Sequence, residues 1–175
     1  CYDNEAYMNT GSQRSSATPS GAVTTTTPVV PKEQPKKAFI QIMEAHHPAY
    51  LATTCSSYPG DLYNKFVKAK SIKGTRFIHL AIPCPAGWGY PTKDTIKIGR
   101  LAVETAVVIL YEVENGTYRM TKKVSKLKPV SDYLKLQGRF RHLTDDTREQ
   151  IQKQVDHDYQ ELLKKAGVQK AQENQ

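Results

Sequence analysis

An α/β fold built on a mostly parallel sheet is predicted by three features of the sequence. Residues 49–54 and 75–82 are short runs of apolar, aromatic and β-branched residues, and a helical period of Leu62, Tyr63, Phe66, Val67 and Ala69 lies between them. Strand, helix and strand in that order close as a right-handed crossover between parallel strands. Farther on, Glu114-Asn115-Gly116 divides two further runs, the mark of a hairpin. The expected architecture is therefore a mostly parallel sheet with a C-terminal hairpin and a helical tail.

The elements follow in order. Cys1 and Tyr2 read as the end of a strand, and residues 3–11 as a polar loop. Asn, Asp and Gly tolerate left-handed backbone angles and bond their own main chain. Such a loop is either a plain surface turn or a rim of carbonyl and amide groups that a hard cation on a phosphate ester would use. Residues 12–37 are rich in Ser, Thr, Pro and Lys. They cannot form a long helix, and read as a flexible linker or as a long loop packed over a ligand. A short helix spans 36–46 and ends before His46-His47-Pro48. The two histidines point apart on a helix and are read as surface or capping residues.

The strand 49–54 leads to a helix that starts at Ser56, Ser57 or Tyr58, has Pro59 in its first turn, and stops near Lys73-Gly74. Cys55 at that junction reads as a small core residue. The strand 75–82 is expected to be buried, with His79 satisfied inside it. Pro83-Cys84-Pro85-Ala86-Gly87-Trp88-Gly89 is a stiff irregular loop at its C-terminal end, where ligands of such sheets sit. Cys84 is there either a free thiol in a tight turn or a thiolate that faces a metal cluster, and Trp88 packs over the loop. A helix capped by Thr92 runs to Val103, a strand covers 106–113, and the Asn-Gly turn leads into 117–121. The lysines at 122, 123, 126 and 128 read as a solvated face. Thr144 caps a helix over 145–165, whose stripe of Ile151, Val155, Tyr159, Leu162 and Leu163 docks on this subunit or a neighbour. Residues 167–175 are expected to fray.

The chain has 175 residues, 25 Lys and Arg against 17 Asp and Glu, a net charge of +8, and 38% hydrophobic residues. That supports one domain with a core. No apolar run reaches about 18 residues, so no membrane span is expected. The basic residues are scattered and lack interleaved aromatics, which favours a solvated surface over a nucleic-acid groove. Cys1, Cys55 and Cys84 suggest neither a disulfide framework nor a zinc spacing, and suit a reducing cytoplasm. The chain lacks an initial Met and opens inside an apparent strand, so a fragment of a longer polypeptide is expected.

Asp3-Asn4-Glu5-Ala6-Tyr7-Met8-Asn9-Thr10-Gly11, followed by Gln13-Arg14-Ser15-Ser16-Ala17-Thr18-Pro19, resembles the second half of the thiamine diphosphate motif in the beta subunit of pyruvate:ferredoxin oxidoreductase, or pyruvate synthase. Ile82-Pro83-Cys84-Pro85-Ala86-Gly87-Trp88 is similar to the loop that carries the fourth cysteine of that family's [4Fe–4S] cluster. The segment 130–143 resembles its tail. The resemblance implies a partial three-layer αβα thiamine diphosphate-binding fold over 1–121 and a C-terminal extension over 122–175.

It also implies a set of roles. The Asn4 side chain and the Ala6 carbonyl would be Mg2+ ligands, and Asn9 a catalytic residue that faces the reactive ring and substrate. Thr10 and Gly11 would form the turn beside the diphosphate, and Cys84 would be a ligand of the cluster. The family takes its activating glutamate from another subunit, so Glu5 has no catalytic role in this reading. The implied reaction is reversible oxidative decarboxylation of pyruvate to acetyl-CoA with ferredoxin as acceptor. The implied partners are the alpha, gamma and delta subunits, ferredoxin, pyruvate and coenzyme A, with no nucleic acid and no membrane. The family's Gly-Asp-Gly element and its other three cluster cysteines do not occur here, so this chain by itself is expected to be inactive. Two alternatives stand beside this: the same chemistry on branched-chain 2-oxo acids, and a basic nucleic-acid-binding module.

Overall fold

The computed structural model describes residues 1–168. Its centre is β2 (Tyr50–Cys55), all six residues of which are buried. This strand pairs in parallel with β3 (Arg76–Ala81) and antiparallel with β4 (Tyr111–Glu114). The outer positions belong to β1 (Tyr2–Asp3), parallel to β3, and to β5 (Thr117–Met120), antiparallel to β4. The order is β1-β3-β2-β4-β5. The sheet is thus parallel on the side of the N-terminal loop and antiparallel on the hairpin side. Asn115 and Gly116 both have positive φ, 49° and 77°, as a two-residue turn of that hand requires.

Side chains alternate across the sheet, and each face has its own cover. Leu51, Phe77, Val113 and Met120 face α1 (Phe39–Glu44) and α6 (Asp145–Lys165), which bring Ile40, Met43, Tyr159 and Leu162. Tyr50, Ala52 and Ile78 face α2 (Pro59–Ser71) through Ala69. Helix, sheet and helix make three layers. Beyond the C-terminal end of β3 come the single-turn α3 (Pro85–Trp88), α4 (Thr95–Glu104) and α5 (Val130–Leu134), gathered around Trp88, Tyr90, Ile98, Tyr133 and Phe140.

Thr144 caps α6, its hydroxyl accepting the Thr147 N–H at 3.3 Å. The apolar stripe of α6 docks on this chain. Cys55 is fully buried, as expected of a core residue.

Several expectations fail. The run 106–113 is a strand only from Tyr111. Ala106 takes φ 61° where α4 ends, and residues 107–110 form an apolar connection instead. The 36–46 helix shrinks to Phe39–Glu44, and Thr92 does not cap α4: a 3-10 turn over Thr92–Asp94 precedes it, without a side-chain cap. Strand β3 is only partly covered, since β1 alongside it is two residues long.

Of the face expected to pack inward on helix α2, Ala69 is buried and Leu62 half-buried, but the rest turns outward. Tyr63, Phe66 and Val67 are exposed, while Lys65 is 2% exposed and donates to Thr53 O, Asp61 Oδ2 and Thr121 Oγ1, each at 2.7 Å. Four methylenes and a satisfied head group let a lysine take a core position.

Residues 12–37 form a packed loop. Ala22 is fully buried. The buried Lys32 ammonium donates to the carbonyls of Thr18 at 2.6 Å and Pro35 at 2.9 Å. Among the described residues no helix is long and apolar enough to cross a membrane. Of the tail expected to fray, residues 169–175 lie outside the described residues.

Candidate functional site

Asp3 ends β1, and the next residues leave the sheet under tight control. Asp3 Oδ1 accepts the Glu5 N–H at 2.9 Å, and Thr18 Oγ1 donates to the Glu5 carbonyl at 2.7 Å. Glu5 itself holds φ 68°, a region that costs a non-glycine residue free energy and persists only when its surroundings fix it. Here they do. Lys36 bridges Asp3 at 2.7 Å and Glu5 at 2.8 Å, and Arg139 approaches Glu5 Oε2 at 2.6 Å. That last contact is an ion pair by distance; its N–H direction misses hydrogen-bond alignment. His79 Nε2 meets Asp3 Oδ2 at 3.0 Å, the satisfied role expected of it.

The charges shift accordingly. Burial alone would raise the Asp3 carboxyl, but the hydrogen bond to His79 and the Lys36 ammonium hold it well below the usual carboxylate range. Glu5 is likewise held down, its burial outweighed by the charges of Lys36 and Arg139. Burial would lower Lys36, but Glu5 and Asp3 raise it. Both carboxylates are therefore ionised, and both are occupied with structural cations.

Past Glu5 the chain closes a small loop. Tyr7 and Gln13 exchange backbone hydrogen bonds at 3.0 and 3.1 Å, and Gly11 N and Ser12 N both donate to Met8 O at 3.2 Å. Gly11 at φ 110° makes the reversal. Thr10 and Gln13 bond each other twice, at 3.1 and 3.2 Å. Asn9, Thr10 and Gly11 form the exposed tip, while Asn4 and Ala6 sit half-buried at its base.

The Pro-Cys-Pro loop lies directly against it. Trp88 Nε1 donates to Asn4 O at 2.9 Å, and Met8 and Cys84 pack on the same apolar cluster as Trp88. Cys84 precedes the first turn of α3, its carbonyl accepting the Trp88 N–H at 2.9 Å. Gly89, at φ 71°, ends that turn and touches Gly138, whose N–H donates to Gly89 O at 3.0 Å. This contact seats the tail so that the Arg139 guanidinium lies 4.0 Å from the Trp88 ring centroid. The two stretches singled out in the sequence thus meet through one indole. The arrangement offers hard oxygen donors and a single half-buried thiol on one side of the molecule. Cys55 is elsewhere, its thiol pushed up by burial and hence protonated.

No family profile matches the chain. It is 57% identical over 159 residues to pyruvate synthase subunit PorB of Methanocaldococcus jannaschii, which covers 89% of this chain and 53% of that protein. It is 51% identical over 166 residues to the PorB of Methanothermobacter marburgensis, covering 93% and 58%. To ketoisovalerate oxidoreductase subunit VorB of Pyrococcus abyssi it is 48% identical over 173 residues, covering 95% and 56%. The chain belongs, over the stretch it spans, to the PorB/VorB family. That stretch is about half the length of these relatives.

The ion pairs that brace this loop, Lys36 with Asp3 and Glu5 and Arg139 with Glu5, are signalled by no motif in the sequence. Glu5 has no catalytic role in the sequence reading, and nothing local marks Lys36 or Arg139 as its partners. Their pairing joins a loop, a linker and a tail segment, and opposite charges so far apart leave no local pattern to read.

Proposed function

We propose that this chain is the cofactor-binding part of the beta subunit of a 2-oxoacid:ferredoxin oxidoreductase that acts on pyruvate. The observation that carries the reading is the Trp88–Asn4 hydrogen bond, which sets the loop of Asn4 and Asn9 against the loop of Cys84. The residues fit the groups involved. Asn4 and Ala6 offer the oxygen chemistry that Mg2+ prefers. The Ala6 carbonyl already accepts the Met8 N–H at 3.0 Å, which leaves it a second lone pair. Cys84 is half-buried beside apolar side chains, a setting suited to one cluster ligand. Among the described residues no group of three or more His, Cys, Asp or Glu is placed to hold a metal ion. This chain accordingly contributes a share of each site, and other parts of the full subunit or its partners complete them.

When bound, thiamine diphosphate supplies the nucleophilic carbon that adds to a 2-oxo group, and a [4Fe–4S] cluster supplies a one-electron acceptor. Asn4 and Ala6 would hold the Mg2+ that accompanies the diphosphate. Thr10 and Gly11 keep the exposed tip in its turn beside it. Asn9, on that tip, presents an amide that can donate to a 2-oxo acid's oxygens. Cys84 would supply one thiolate to the cluster, from a loop packed against that of Asn4. The alpha, gamma and delta subunits, ferredoxin and coenzyme A complete the reaction.

The test is the full-length subunit, assembled with its partners and assayed for substrate-dependent reduction of ferredoxin. Pyruvate is expected to outrun 3-methyl-2-oxobutanoate. Asn9→Ala is expected to lower kcat by at least about a hundredfold, the scale of removing one positioned donor. Cys84→Ser is expected to abolish the cluster's electron paramagnetic resonance signal. The 48% identity to the ketoisovalerate enzyme makes branched-chain preference the rival outcome. Wild-type activity that persists after thiamine diphosphate has been removed from the enzyme would defeat the proposal.

A further inference from the structure

Asn4 stands between two buried carboxylates, and each is tied to a cation from another part of the chain. On one side Asp3 meets His79 and Lys36; on the other Glu5 meets Lys36 and Arg139. Every polar group of Glu5 is engaged: its N–H by Asp3, its carbonyl by Thr18, its carboxylate by the two cations. Its backbone is nonetheless in the left-handed region, at φ 68°. A strained non-glycine residue held this firmly, between the two proposed oxygen donors, is the kind of outlier that points to function.

Arg139 is 5% exposed, and its other contacts reach the same place. Its guanidinium covers the Trp88 ring, whose N–H holds the Asn4 carbonyl. Gln137 Oε1 accepts from its Nε at 2.9 Å, which fixes the plane of the fork. One side chain from the tail therefore touches both the residue that redirects the backbone and the residue that anchors it. We infer that Glu5 and Arg139 are positioning residues: their ion pair locks residue 5 in the left-handed conformation and so sets Asn4 and Ala6 for the divalent ion. This rests on the function proposed above. A change of φ at residue 5 to the ordinary region would re-aim every atom after it relative to Asn4.

The experiment titrates Mg2+ into the full-length subunit, assembled with its partners, at fixed thiamine diphosphate, and follows binding calorimetrically. Melting temperature is recorded beside it. Arg139→Met and Glu5→Gln are each expected to raise the half-saturating Mg2+ concentration about 10–100-fold, the range found when outer groups that orient metal ligands are removed. Arg139→Lys, which keeps the charge and loses the fork, is expected to recover part of that loss. The double variant is expected to bind no worse than the weaker single one, because the two act through one contact. If Arg139→Met does not fold, Glu5→Gln carries the same threshold, and Arg139→Lys is expected to fall between Glu5→Gln and the wild type. Folded variants with wild-type Mg2+ half-saturation would overturn the inference and leave the proposed function standing. A wild-type subunit that binds no thiamine diphosphate with Mg2+ would overturn both.

Discussion

Gly89→Ala tests whether the cysteine loop is held by backbone-to-backbone contact with the tail. Gly89 lies at φ +71°, and an added Cβ would come within 3.1 Å of Gly138 Cα and 3.2 Å of Gly138 N. Two costs follow. The left-handed conformation costs an L-residue about 1–2 kcal/mol. The overlap adds about 1–3 kcal/mol, because both opposing atoms are main chain and cannot rotate aside. Gly116→Ala separates the two: it has nearly the same angle, φ +77°, and nothing within 4 Å of its Cβ. Urea unfolding of the full-length subunit is expected to show a loss of about 1–2 kcal/mol for Gly116→Ala and about 2–5 kcal/mol for Gly89→Ala. Equal losses would refute the reasoning, since the tail would then not press on the loop at Gly138.

Three further outcomes are expected. Thr144→Ala removes the hydroxyl that caps α6 and should lower stability by about 1 kcal/mol in thermal unfolding. Lys32→Met leaves the carbonyls of Thr18 and Pro35 without their buried donor; limited trypsin digestion should then cut at Lys36 and Lys37 well before it does so in the unaltered protein. Glu112 is pushed up by burial but held lower overall by hydrogen bonds from Lys68, Arg119 and Tyr50. A carboxylate with a depressed folded-state pKa stabilises fully above its unfolded value, near 4.5, and loses that contribution as pH falls through the folded one. Stability measured from pH 6 downward should therefore fall less steeply below pH 4.5 in Glu112→Gln than in the unaltered protein.

Much of the fold was legible because local chemistry and tertiary position agree. Pro59 opens α2, Thr144 opens α6, and Asn115-Gly116 turns the hairpin, each for a reason contained in a few residues. Two of the failures share one cause: apolar character does not say which surface it meets. Val107 to Leu110 look like a strand yet form a connection, because Ala106 reverses the backbone first. Tyr63, Phe66 and Val67 look like a core face, yet Lys65 finds three partners beneath the helix and takes that place. The site divides the same way. Asn4, Asn9 and Cys84 lie in short motifs that a local reading picks out. What holds Asn4 in place is not legible in that way, because Glu5, Lys36 and Arg139 meet only once the chain has folded.

Among the described residues, β1 has one sheet neighbour, β3, and the Cys1 amino group reaches Ile78 O across 77 positions of sequence. On a ribosome adding about 5–20 residues per second, that gap takes roughly 4–15 s to translate. Throughout that interval Asn4 and Ala6 lack β3, the strand beside which β1 lies in the finished fold, and Trp88 and Arg139 emerge later still. Asn4 and Ala6 are thus among the first residues of this stretch to be made and among the last to be put in order, since Trp88 and Arg139 must arrive before the loop can set.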